Sequence, residues 1–362
     1  MRSLGSVILG GAPGTLALVK RRLKYAAIRV GLEAVASTGL GRLIPSAGGR
    51  GLIFTLHHVR PETERPEFAP NAIHSITPEF LVEAIRAVLE RGLTPVHLHH
   101  LPALLANPAD GRKFVAFTLD DGYRNNAEFA APVFGKFNIP YTIFVNPGFV
   151  ERTRTMWWET AAAMAREVSS VDFDFGNGPE IVKSATVSEK FGLYDRLVAF
   201  VQSTDEDEAV RRIDDMARSH RIDPIKFVDD LVMNEQELRD LAKDPLVHFG
   251  AHTVTHVNLR RVSAERLQRE IRESTEAIER YVGCRPKSFS YPYGWSSAAS
   301  DREFRAAADA GFATAVTTQP GVLSQRSLEQ PTGLPRVSLN GNFQKKRYVE
   351  ALISGLPFRL LR

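Results

Sequence analysis

The stretch Phe114-Val115-Ala116-Phe117-Thr118-Leu119-Asp120-Asp121-Gly122 sets the tightest limit on what this chain can become. An apolar and β-branched run of that length, closed by a turn signal, suits a strand buried on both faces. Aspartate is a poor strand residue, so two of them at the end of such a run need a reason. One reason is local: Asp is a preferred N-cap, and a helix can start near Arg124. A second cluster, Gly250-Ala251-His252-Thr253-Val254-Thr255-His256, follows another apolar run, Leu246 to Phe249. Two strand ends carrying Asp-Asp and His-x-x-x-His make a candidate metal-binding set.

The rest of the chain repeats the alternation. Leu52 to Leu56 reads as a strand ending at His57-His58, and Thr77-Pro78-Glu79-Phe80 opens a helix with Thr as cap and Pro at its first position. Short strands are expected at 94–98, 141–145, 287–291 and 312–316, and helices at 125–137, 234–243, 264–281 and 301–310. Strands alternating with helices imply a mostly parallel sheet, open or closed into a barrel. In both, functional groups gather at the C-terminal ends of the strands. His57, Asp120 and Asp121, His252 and His256, and Tyr291-Pro292-Tyr293-Gly294 each follow an expected strand, which puts them on one rim. Residues of about 151–232 break the rhythm and read as a helical insertion, with an acidic run at Asp205 to Glu208 and paired Trp157 and Trp158 near its start.

The charge of +4 is unevenly placed. Residues 1–50 hold eight Lys/Arg against the single acid Glu33, a net of +7 that leaves −3 for the rest. No basic surface interleaved with aromatics marks a nucleic-acid site. The segment Thr15 to Thr38 can form a basic helix, which either packs on the domain or lies on an anionic membrane surface. No run of 18 or more apolar residues suggests a membrane span. The basic cluster Lys20 to Lys24 follows the apolar stretch, the reverse of a secretory signal, so a cytoplasmic or membrane-peripheral location is expected. A single cysteine, Cys284, leaves stability to core packing. The expected organisation is a basic extension (1–50), a barrel domain (51–345) and a tail (346–362).

Two imidazoles and one carboxylate leave positions open for water and substrate, the pattern of a catalytic rather than a structural zinc site. Only one of Asp120 and Asp121 is needed as a ligand, and the other is free to take a proton from attacking water. That division describes hydrolysis of an ester or amide.

The Thr118-Leu119-Asp120-Asp121-Gly122 and His252-Thr253-Val254-Thr255-His256 pair resembles the first two motifs of the polysaccharide deacetylases, and Phe289-Ser290-Tyr291-Pro292-Tyr293-Gly294 resembles their third. The resemblance spans about residues 50–340. It implies a distorted (β/α) barrel of seven or eight strands, with Asp121, His252 and His256 as ligands of Zn²⁺ or another first-row divalent ion and Asp120 as general base. It also implies removal of acetyl groups from an N-acetylhexosamine-containing glycan or glycolipid, with Tyr291, Pro292 and Tyr293 against the substrate and a backbone N–H near Tyr293 on the oxyanion.

Two departures from the family pattern matter. Many members carry an Arg at the start of the third motif, where this chain has Ser290, and Arg336 from another strand is the expected substitute. Many also carry a late His as general acid, yet no His follows His256. His57 is the expected acid, with His58 and then His74 behind it. Three other functions compete: an amidohydrolase of the same fold acting on a small non-sugar amide, a carbohydrate-binding protein that has lost turnover, and a non-haem Fe(II) oxygenase, which also uses two His and one carboxylate. The parallel α/β pattern and the additional Asp120 weigh against the last.

Overall fold

The computed structural model describes residues 13–39, 44–107 and 109–360. Its contacts divide the chain into two compact units. The larger takes Arg29–Glu64, Asn71–Met156 and Pro224–Arg362.

Strands β1 (Gly51–Leu56), β4 (Leu93–Pro95), β5 (Lys113–Leu119), β6 (Tyr141–Val145), β9 (Val247–Ala251), β10 (Ser288–Ser290), β11 (Thr314–Val316) and β12 (Val337–Ser338) form one parallel sheet in this unit. Its order is β11-β10-β9-β6-β5-β1-β12, with β4 beside the start of β5. Short strands β2 (His58–Val59) and β3 (Ser75–Ile76) pair separately. The sheet curls until its ends meet one segment: Leu334 bridges to Val316, and Val337 and Ser338 pair with Phe54 and Thr55. The distorted (β/α) barrel expected from the motifs is the observed fold.

Side-chain alternation along each strand fixes what faces the barrel axis. In β5, Val115, Phe117 and Leu119 pack outward in the large core with the helices Pro78–Glu90 and Ala264–Val282. Phe114 and Ala116 point inward, into a small core with Ile53, Leu98, Phe144, Val316 and Leu334. Thr118 and Asp120 continue that inward row. In β9, Phe249 and Ala251 pack outward, so His248, Gly250 and His252 share the inner face. A Cβ at Gly250 would sit 2.4 Å from the Phe144 ring, so the missing side chain is what lets that ring fill the barrel.

The second unit contains Met1–Ile28, Arg65–Pro70 and Trp157–Asp223. Where the sequence suggests helices alone, this unit also contains an antiparallel hairpin, β7 (Ser170–Asp174) and β8 (Pro179–Lys183). The acidic run has a local explanation. Asp205 caps the helix Glu206–Ser219 by accepting from Asp207 and Glu208 N–H, and the acids of the first turn meet the positive helix end. Trp157 is buried and meets the half-buried Trp158 edge-on at the start of its helix. A 26-residue helix, α1 (Pro13–Thr38), carries the basic segment. Among the described residues no helix is long and apolar enough to cross a membrane.

Candidate active site

The inward row of β5 delivers Asp120, and backbone strain delivers its neighbour. Asp121 has φ 71°, in the left-handed region that a non-glycine residue rarely adopts. That turn swings its carboxylate back toward the rim, so two adjacent acids face one site. Thr253, His256 and Tyr293 have φ 62°, 56° and 64°. Such outliers cost roughly 1–3 kcal/mol each and persist where the surroundings over-determine them.

Asp121, His252 and His256 converge, all three buried, with one donor atom from each within 4.8 Å of the others. Asp121 Oδ1 lies 3.6 Å from His252 Nε2 and 3.5 Å from His256 Nε2. Ligands about 2.0–2.2 Å from a tetrahedral ion stand roughly 3.4 Å apart, so the spacing fits a divalent cation. Burial pushes the pKa of both imidazoles down, which keeps them neutral with lone pairs available. His252 Nδ1–H donates to the Ser290 carbonyl at 2.7 Å, which fixes the tautomer and leaves Nε2 for the ion.

Asp120 sits apart from that trio in the grip of Arg336. The guanidinium donates from Nη1 to Asp120 Oδ1 and from Nη2 to Oδ2, each at 2.7 Å. Its remaining N–H groups reach Thr118 Oγ1 (3.1 Å), Ser290 Oγ (2.9 Å) and the Thr317 carbonyl (2.8 Å). All five donors of this buried side chain therefore have acceptors. Burial alone would raise the Asp120 pKa, but the Arg336 charge and hydrogen bonds outweigh it and hold the carboxyl well below the usual range. Ser290, small and inward-facing, leaves room for the guanidinium to arrive from the segment that closes the barrel.

The other expected residues divide. His57 is half-buried beside this site, its ring 4.5 Å from that of His74. Burial and the neighbouring His74 push its pKa well below the usual histidine value, while Asp120 pulls it up. His58 turns the other way, accepting at Nδ1 from Asn125 Nδ2 (2.8 Å) with its ring against Tyr123. Of the third motif only Tyr293 meets a metal-site residue with its side chain. Its ring stands edge-on to His256 at 5.1 Å and stacks on Trp295, which is 41% exposed. Tyr291, expected against substrate, instead lies on the outer face of β10, buried, with its hydroxyl donating to the Thr332 carbonyl at 2.7 Å. The period of two from Phe289 already requires that orientation. Pro292 is buried beside it.

Two residues absent from the sequence reading hold the ligand loop. Asn146 Nδ2 donates to the His252 and Thr253 carbonyls. Glu270 accepts from Val254 N–H (2.8 Å), Thr255 N–H (3.0 Å) and Thr255 Oγ1 (2.7 Å). Asn146 directly follows Val145, so the strand-end rule that picked out Asp120 applied to β6 also selects it. Glu270 lies mid-helix, where nothing in the sequence singles it out.

With this geometry in hand, comparison with known proteins is decisive. The family model described as polysaccharide deacetylase matches residues 107–177 and 203–315. The chain belongs to the polysaccharide deacetylase family. Similar solved structures carry the same fold at low identity. The Streptococcus pyogenes deacetylase PplD, in complex with acetate, is 16% identical over 80% of this chain and 92% of its own, with a TM-score of 0.52. BA0330 from Bacillus anthracis is 12% identical over 83% of this chain and 68% of its own (TM-score 0.51). BC0361, a polysaccharide deacetylase from Bacillus cereus, is 13% identical over 83% and 68% (TM-score 0.50). No curated protein matches the chain. Metal-dependent deacetylation is general for the polysaccharide deacetylase family, and the Asp121-His252-His256 set is where this member has room for a divalent ion.

Proposed function

We propose that this polysaccharide deacetylase family member removes N-acetyl groups from an N-acetylhexosamine-containing glycan or glycolipid, with Zn²⁺ as the ion. The observation that carries the proposal is the division of labour between two adjacent acids. Asp121 turns toward two neutral imidazoles, while Asp120 is held ionised and apart by Arg336. A divalent ion at Asp121, His252 and His256 supplies a Lewis acid that acidifies water and polarises the acyl oxygen.

The protein's own groups do the rest. Asp120 takes the proton of the attacking water, and Arg336 positions that carboxylate. The peptide N–H at Tyr293 holds the oxygen that becomes negative. As the C–N bond breaks, His57 delivers a proton to the departing amine. Its lowered pKa keeps it neutral at rest, so it first receives the proton released through Asp120. The products are acetate and a free amino sugar. Tyr293 stacked on exposed Trp295 gives the rim an aromatic platform for a sugar ring, which favours a glycan over a small amide.

The test is acetate release, with matching loss of acetyl groups by mass spectrometry, from a panel of N-acetylated glycans and glycolipids. Activity is expected with divalent metal and none with chelator. Asp120→Asn is expected to lower turnover by about 10²–10⁴-fold while metal content stays the same. Equal activity of Asp120→Asn, or release of ammonia instead of acetate, overturns the assignment.

A further inference from the structure

α1 has one side fixed and one side open. Leu32 and Val35 are buried, Tyr25 is half-buried, and Arg21 pairs with Asp195 at 2.5 Å with its guanidinium over the Phe191 ring. Opposite them, Leu23, Ala26, Ala27 and Val30 fall at i, i+3, i+4 and i+7, the spacing that lines a single helical face. That stripe is open to solvent, with Leu23 64% and Val30 68% exposed. Of seven exposed large hydrophobic residues among those described, Leu23, Ile28 and Val30 lie within eight positions of this helix. Arg22 and Arg29, seven apart, flank the stripe on one side, and Lys24 flanks it on the other, all three exposed.

An outward apolar stripe edged by bases narrows the partner. Nucleic acid would satisfy the bases and leave the apolar centre without use. A second copy of this chain, meeting stripe to stripe across a two-fold axis, would bring these bases toward their own counterparts, with no acid before Glu33 to offset them. Anionic lipid supplies both halves, acyl chains for the stripe and phosphates for the bases. We infer that α1 docks this protein on an anionic bilayer surface, lying in its plane, with Leu23, Ala26, Ala27 and Val30 in the headgroup–acyl boundary and Arg22, Lys24 and Arg29 at phosphate level. This inference does not depend on the deacetylase chemistry.

The experiment is co-sedimentation of the full chain with phosphatidylcholine vesicles, with and without roughly a third phosphatidylserine. Binding is expected to the anionic vesicles only, weakening as salt rises. Arg22→Gln with Arg29→Gln is expected to weaken partitioning roughly 25-fold, about fivefold for each charge removed. Leu23→Gln with Val30→Gln, a separate variant, is expected to weaken it at least about tenfold. Both variants should melt with the parent protein, since the changed side chains are exposed. Equal binding to both vesicle types, or parent-like binding by both variants, overturns the inference. So does a concentration-dependent dimer that Leu23→Gln with Val30→Gln dissolves in the absence of lipid binding.

Discussion

Asp120 and Arg336 are 216 positions apart and form a buried ion pair in which every guanidinium N–H has an acceptor. Breaking a buried pair from one side leaves a charge in low dielectric, at a cost of roughly 3–5 kcal/mol. Arg336→Met is therefore expected to lower the unfolding free energy by an amount in that range, read by chemical unfolding. The pH dependence follows from the direction of the Asp120 shift. A carboxyl depressed in the folded protein contributes stability above its unfolded pKa, and that contribution is lost as pH falls through the folded value. Without Arg336 the folded pKa rises, so the acid limb of activity moves to higher pH. Arg336→Lys should recover little, because an ammonium cannot reproduce the bidentate fork or reach Thr118, Ser290 and Thr317 together. An unchanged acid limb in Arg336→Met would show that Asp120 does not depend on this partner.

At the level of elements, the loop from His252 to His256 is shaped from outside itself. Asn146 at the end of β6 holds the carbonyls of His252 and the strained Thr253, and Glu270 from the helix Ala264–Val282 holds Val254 and Thr255, between the strained Thr253 and His256. Gly148 adds an N–H to the Val254 carbonyl at 2.9 Å, and a Cβ there would come within 2.6 Å of the same oxygen. Partners that orient metal ligands typically contribute 10–100-fold in affinity. Glu270→Gln is expected to weaken zinc binding by about that factor in competition with a chromogenic chelator. Its helix should remain, since the Ser263 cap and the Gly283 terminus are untouched. Wild-type zinc affinity in this variant would mean that the loop holds its shape unaided.

The whole barrel has two ends, and histidines mark both. At the end opposite the metal site, His97, His99, His100 and His248 crowd together, with the His99 ring 4.2 Å from His100 and 4.4 Å from His248. Leu98, between them, plugs the inner core. Burial, then the neighbouring His248, lowers the His99 pKa from 6.5 to about 3, and burial likewise lowers His248 to about 4. Below pH about 6.5 the unfolded chain binds protons that the folded one refuses, so this cluster costs the fold nothing at neutral pH and progressively destabilises it as pH falls toward 4. The melting temperature is expected to fall over that window, and less steeply in His99→Gln. An identical slope in the variant would remove the cluster from the account.

How much of this was legible in advance depends on the range of the interaction. Buried runs ending in Asp-Asp and His-x-x-x-His determined a mostly parallel sheet with these residues on one rim, and the motif resemblance added its closure into a barrel. The resemblance implied Tyr291 against the substrate, whereas on the observed β10 it shares the outer face with Phe289. What the sequence could not decide were contacts between distant segments: the Arg336 guanidinium reaching past Ser290 to Asp120, and Glu270 reaching the ligand loop from another element. Local order follows from spacing and burial, which each residue shares with its neighbours along the chain. A hydrogen bond across hundreds of positions exists only once the sheet has curled far enough for its closing segment to meet the first strand.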